Sequence, residues 1–266
     1  MFLFVCSFGV FDINAVVSFK YVRRNSERFS YSGVTWVLVV SNIDLTTDLP
    51  KMKPSAFLKS STKDFTLNLN NDYRYLKTGY YVSMHAEVLG NGVIPSTENI
   101  IDANRTPILL LKASKAGIPT LPYLVTSSIK QIMSMFAFPI VIFAVNPFSY
   151  EGYKTAGNRS ALYRAVKSLS MNYKFAVCVQ PLKGEMLSFK SIFGKCHQTG
   201  EVAAISEEVY EVFRIPICKL HVQKIKNRAY LCGLQPVRTE EILSSDLETV
   251  SEEIVLLSNK GEHLIG

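Results

Sequence analysis

The sequence predicts a mixed α/β (α+β) fold. Three observations carry this: an uninterrupted, largely β-branched run at residues 36–41, stretches with helical spacing at 80–89 and 158–169, and an alternation of extended and helical segments without an internal repeat. At 48% hydrophobic and 19% charged, the 266-residue chain has enough apolar surface for one large core or two small ones. A disordered or low-complexity chain is excluded, because neither buries enough to offset chain entropy. Fourteen glycines and eleven prolines without a period exclude a collagen-like architecture.

The elements follow in order. Residues 36–41 read as a strand buried on both faces, and 65–69 as a shorter, alternating one. Residues 80–89 have helical spacing and stop at Gly90, and Ile94 is extended. Asn104 is placed to cap a helix with Pro107 in its first turn and Gly117 at its end; Pro119 and Pro122 then enforce an extended connection. Residues 131–150 carry no charge and have the length of a membrane span, but Pro139, Asn146 and Pro147 interrupt them, so 140–145 read as a buried strand. Asn158 caps the next helix, with Leu162, Ala165, Val166 and Leu169 on one face. Residues 175–180 are a strand and 202–213 a helix; 218–222 and 229–234 pair across a polar turn at 224–228. Residues 240–257 form an acidic amphipathic helix with Ile242, Leu247, Val250, Ile254 and Leu257 inward.

Charge and cysteine usage bound the setting. The 29 basic residues exceed the 22 acidic ones, giving +7. Residues 238–266 hold seven acids and two bases, which leaves +12 for residues 1–237. Such a body can meet nucleic acid, lipid or phosphate, but its tightest cluster is Lys219, Lys224, Lys226 and Arg228, with no interleaved aromatic motif, and a solvated basic face accounts for it. Cys6, Cys178, Cys196, Cys218 and Cys232 form no closely spaced pair, so neither a zinc site nor a disulfide scaffold is indicated. Reduced, mostly buried thiols favour a reducing compartment, the cytoplasm or the mitochondrial matrix. Residues 1–32 carry Lys20, Arg23, Arg24 and Arg28 against Asp12 and Glu27, compatible with an organellar presequence, an N-terminal strand or an interaction arm.

The order of elements resembles the RimK-like glutamate-ligase branch of the ATP-grasp superfamily, together with the N-terminal domain that precedes some of these ligases. The residues that carry it are Asp72-Tyr73-Arg74-Tyr75, then Gly79-Tyr80-Tyr81-Val82-Ser83, Ala86-Glu87, Gly90 and Val93-Ile94-Pro95-Ser96. Ala116-Gly117-Ile118-Pro119, Phe138-Pro139-Ile140-Val141, Gly152, Val179-Gln180 and the run from Tyr230 to Pro236 continue it. The resemblance implies an N-terminal α/β domain (33–100) after an apolar extension (1–32), a shortened ATP-grasp-like domain (101–237), and the acidic C-terminal helix (238–266).

It also implies a chemistry, in which ATP phosphorylates a carboxylate and an amine attacks the acyl-phosphate, with cations and magnesium carrying the phosphoryl charge. The residues needed for it are largely replaced. The family's lysine after Phe-Pro falls on Phe143, its hinge acid on Pro181, and its metal-binding Glu-x-Asn on Leu231 and Gly233. The loop that covers the phosphates reads Asn-Pro-Phe-Ser-Tyr-Glu-Gly over 146–152, with one glycine. The stretch from 180 to 202 is short and lacks the other acid ligand. Arg105, Gly152, Tyr153 and Gln180 remain as nucleotide-binding candidates; no catalytic residue and no metal ligand is assigned.

Other constellations give no chemistry. His85 and Glu87 lie two apart on a helix, Cys196-His197 has no third partner in sequence, and Glu207-Glu208 and Glu252-Glu253 read as solvated faces. The expected function is that of a degenerate ATP-grasp protein, a non-catalytic accessory or scaffold subunit with protein partners. The alternatives are an ATP-dependent carboxylate–amine ligase or nucleotide-binding protein with a substituted site, to which ATP and Mg would belong, and an unrelated α/β binding module.

Overall fold

The computed structural model describes residues 37–146 and 152–259. The apolar segment 1–18, the presequence-like stretch 1–32, Cys6, Trp36, residues 147–151 and His263 lie outside the described residues.

A parallel sheet comes first: β1 (Val37–Ser41), β2 (Lys51–Met52), β3 (Phe65–Leu69) and β4 (Val93–Ile94), in the order β2-β1-β3-β4. β1 is buried throughout, as its β-branched run requires. β3 alternates in residue type but not in burial. Leu67 and Leu69 enter an apolar cluster, while on the other face Asn68 donates to the Gly79 carbonyl at 2.7 Å and to Ser83 Oγ at 2.8 Å. These hydrogen bonds allow the polar face to be covered by a helix instead of water. Around the sheet lie α1 (Pro54–Phe57), α2 (Thr78–Val88) and α3 (Thr97–Ala103). α2 ends before Gly90, whose φ of +81° suits glycine.

α4 (Thr106–Lys115) runs to Gly117 as expected, but Asn104 does not cap it. Asn104 closes α3 instead, its Nδ2 donating to the Ile100 carbonyl, and Arg105 stands at the start of α4. The helix that ends first takes the local side chain, a competition the spacing alone does not reveal.

The second sheet is antiparallel, in the order β5-β8-β6-β7, from β5 (Leu124–Thr126), β6 (Ile140–Ala144), β7 (Tyr153–Ala156) and β8 (Val177–Pro181). α5 (Ile129–Met135) and α6 (Arg159–Leu169) cover one face. Asn158 caps α6, accepting from the Ala161 N–H at 2.9 Å, and Leu162, Ala165, Val166 and Leu169 are all buried. The described part of the uncharged stretch thus contains a short helix and a strand, and among the described residues no helix is long and apolar enough to cross a membrane.

The third sheet, β11-β10-β9, contains β9 (Glu185–Ile192), β10 (Ile217–Ile225) and β11 (Arg228–Gln235). β10 and β11 pair antiparallel up to Ile225 opposite Arg228, so the turn is tighter than the sequence indicates. β9 fills the short central stretch and was not legible as a strand. Helix α7 (Glu201–Phe213) packs on this sheet. A 3-10 turn at Thr239–Glu241 precedes α8 (Ser244–Asn259), so the acidic helix begins later than expected, with Val250 and Ile254 buried as read.

Two apolar clusters join residues on both sides of residue 100. Tyr73 and Tyr80 share a cluster with Leu109, Phe213, Leu220 and Leu231. Val37, Leu67, Ile192, Ile217, Val250 and Ile254 share another. The described residues form one compact unit.

Candidate functional site

The positions assigned by resemblance to phosphate, hinge and metal converge where the second sheet faces the third. Leu110, Val141, Phe143 and Cys178 pack there against Cys232, with Tyr153 and Met186 at the margin. Phe143 sits in the middle. A Cβ at Gly233 would lie 2.7 Å from its ring, so β11 carries glycine where the aromatic ring presses on the backbone. Glycine here is required by close approach, not by a positive φ.

Polar groups stitch the same face. Gln180 is fully buried and its Nε2 donates to the Cys232 carbonyl at 2.9 Å. Its Oε1 is buried and has no hydrogen-bond partner among the described residues. Gln223 donates to the Pro181 carbonyl at 3.0 Å and accepts from the Lys183 N–H at 2.9 Å, which ties the segment after β8 to β10. His221 lies 2.8 Å from Ser188 Oγ through Nδ1 and 2.7 Å from Gln235 Oε1 through Nε2. The Tyr153 ring meets the imidazole edge-on at a centroid distance of 4.9 Å, and Phe143 is 5.5 Å from Tyr153. Desolvation pulls the His221 pKa down to about 4, with the nearby Lys219 ammonium adding to the effect, so the ring is neutral. Burial pushes the Cys178 and Cys232 thiols up to about 12, which leaves them protonated and unreactive.

Of the four sequence candidates, three meet this face. Tyr153 packs on His221 and Phe143; Gln180 bridges to β11; Gly152 lies so close to Gln235 that a Cβ would overlap the carboxamide. Arg105 is not joined to them by any contact described and is exposed at the start of α4. His221, Ser188, Gln223 and Gln235 escaped sequence reasoning, because nothing local marks residues that meet only across three strands. Lys190, on β9, escaped it for the same reason. It pairs with Asp246, while Lys219 pairs with Glu241 at 2.5 Å, so the acidic C-terminal segment supplies counter-ions to two lysines of this sheet. The remaining constellations do not assemble. Cys196 packs on the core while His197 is exposed, and His85 bonds the Ser60 carbonyl while Glu87 caps the Thr97 N–H.

The described residues of this face do not fit a magnesium-bound triphosphate. Phosphate needs cationic or N–H donors and magnesium needs hard oxygen ligands. This face offers aromatic rings, neutral amides, a neutral imidazole and protonated thiols. Among the described residues no group of three His, Cys, Asp or Glu side chains is placed to hold a metal ion.

Comparison with known proteins accounts for the architecture. A family model described as the RimK-like ATP-grasp N-terminal domain matches residues 55–253. No curated protein matches in sequence. Among solved structures, the RimK domain ATP-grasp protein of Sphaerobacter thermophilus superposes with a TM-score of 0.59 at 11% identity, over 84% of this chain and 98% of that one. The D-alanine–D-alanine ligase of Bacillus anthracis gives 0.58 at 12% identity, over 85% and 99%. The ATP-grasp ligase PsnB, bound to a precursor variant, Mg and ADP, gives 0.56 at 10% identity, over 85% and 100%. At these identities the likeness establishes the shared fold. With three sheets arranged as in ATP-grasp proteins and a family match over most of the described residues, the chain belongs to the RimK-like ATP-grasp N-terminal domain family.

Proposed function

We propose that this protein is a non-catalytic member of the ATP-grasp fold, kept as an accessory or scaffold subunit that works through protein partners in a reducing compartment. The observation that carries the reading is the Phe143 ring on the Gly233 backbone. It fills the position where the resemblance puts a phosphate-binding lysine, opposite a strand stripped of metal-binding oxygens. Exposed Met135 and Phe138, beside a cleft near β8, and the buried thiols of Cys178, Cys218 and Cys232 agree with the partner and the compartment.

A second reading is a nucleotide-binding or ligase-type protein with a substituted site. One observation favours it: the unpartnered Gln180 Oε1, an acceptor that an adenine amino group would satisfy. A thermal-shift titration with Mg-ATP decides between them. A ligand at 100 times its dissociation constant adds about 2.7 kcal/mol of stability. No shift at millimolar Mg-ATP is expected; a saturable rise in melting temperature, lost in Gln180→Leu, establishes the second reading.

A further inference from the structure

The first sheet carries a separate cleft at its carboxyl edge, lined by none of the residues that face each other across the second and third sheets. It encloses about 770 Å³, within the usual range for small-molecule sites. Its position follows from topology. β1 lies between β2 and β3, and all are parallel. α1 and α2 both pack on the face of this sheet that carries Leu38 and Val40, so the loop after β1, the end of β2 and the starts of the two helices meet beyond the strand ends. Clefts outside the carboxyl ends of parallel strands are common small-molecule sites. Here the end of β1 lines it with Ser41 and Asn42, the end of β2 with Lys51 and Lys53, and the first turn of α2 with Thr78.

The lining is preformed and basic. Ser41 Oγ lies 2.8 Å from the Leu69 carbonyl, and Asn42 donates to Asn71 Oδ1 at 2.6 Å, which locks the two strand ends together. Lys51 Nζ donates to the Leu45 carbonyl at 2.6 Å, so its ammonium is held at the rim, and Lys53 is exposed beside it. Against these two cations stands one carboxylate, Asp44, 3.8 Å from Lys51 and fully open to solvent. α2 is 11 residues long, with no acidic side chain in its first turn and no side-chain cap at its start. Its N–H groups and dipole therefore add positive potential on the same side.

We infer that this cleft binds a small organic anion, a carboxylate or phosphate ester, with the anionic head between Lys51, Lys53 and the start of α2 and the organic body in the crevice. The test uses the full chain, titrated calorimetrically with inorganic phosphate and with malonate at constant ionic strength, with chloride as control. Saturable binding of at least one of the two is expected, and which one binds separates the phosphate from the carboxylate source. Charge-removing K51Q/K53Q is expected to weaken it about tenfold or more, while K51R/K53R retains it. Thr78→Asp supplies a second arm that does not endanger the fold. A carboxylate at a helix N-terminus stabilises the helix, so this variant keeps its melting temperature yet loses the anion. Absence of saturable binding for both anions, or unchanged binding in K51Q/K53Q or Thr78→Asp, overturns the inference.

Discussion

Gly233 and Phe143 explain one another. The aromatic ring takes the space a side chain on β11 would need, and the glycine lets the two sheets approach closely enough to exclude water. Gly233→Ala is expected to destabilise by about 1–3 kcal/mol, the usual cost of overpacking a well-filled core. Combined with Phe143→Ala the cost is expected to be less than the sum, and a urea-denaturation double-mutant cycle measures the coupling. Strict additivity would mean that the two residues do not meet. His221 makes a second residue-scale prediction. Its folded pKa of about 4 lies below the unfolded value of 6.5, so the unfolded chain takes up the proton first as pH falls. The stability His221 maintains is complete above pH 6.5 and is lost as pH falls toward 4, by up to about 1.4 kcal/mol per pH unit. Replacing it with Gln is expected to flatten the wild-type curve in that window; parallel curves for the two proteins would show that the imidazole is not desolvated.

At the scale of elements, α8 stands out because both its apolar and its charged faces are engaged. Val250 and Ile254 enter the core shared with β1 and β3, while Asp246 accepts from the Leu243 N–H at 2.8 Å and pairs with Lys190 of β9. Lys190 also donates to the Glu241 carbonyl at 2.8 Å. Part of the local excess of acid in a basic chain is thereby engaged within the molecule, through Glu241, Asp246 and Glu253. Asp246→Ala leaves the Lys190 ammonium partly buried without its counter-ion and removes an acceptor at the helix start. The expected loss is about 3–5 kcal/mol, with early proteolytic cleavage near residues 237–245. Asp246→Asn, which keeps the acceptor, is expected to lose less. Equal protease resistance in all three proteins would show that the pair does not hold the helix.

Across the whole molecule, the sequence by itself determined the elements with strong local signatures. Asn158 followed by four apolar residues at helical spacing specifies α6 and its buried face; glycines at 90 and 117 specify where α2 and α4 stop; the β-branched run specifies β1. The order of these elements carried the ATP-grasp resemblance, and that resemblance, by residue identity alone, puts Phe143 where it implies a lysine. Elements without a local signature were not legible: β2 is two residues long, and β9 mixes charged and apolar residues without a clear period, its register being that of its neighbour β10. Only the tertiary structure decided which residues meet. The His221–Gln235–Ser188 network spans three strands, the clusters joining Tyr73 to Leu231 and Val37 to Ile254 bring together distant parts of the sequence, and the cleft at the end of the first sheet is formed by the ends of β1 and β2 with the starts of α1 and α2. Local propensity acts over a few residues, whereas these contacts join positions brought together by burial of apolar surface, which has no sequence range of its own.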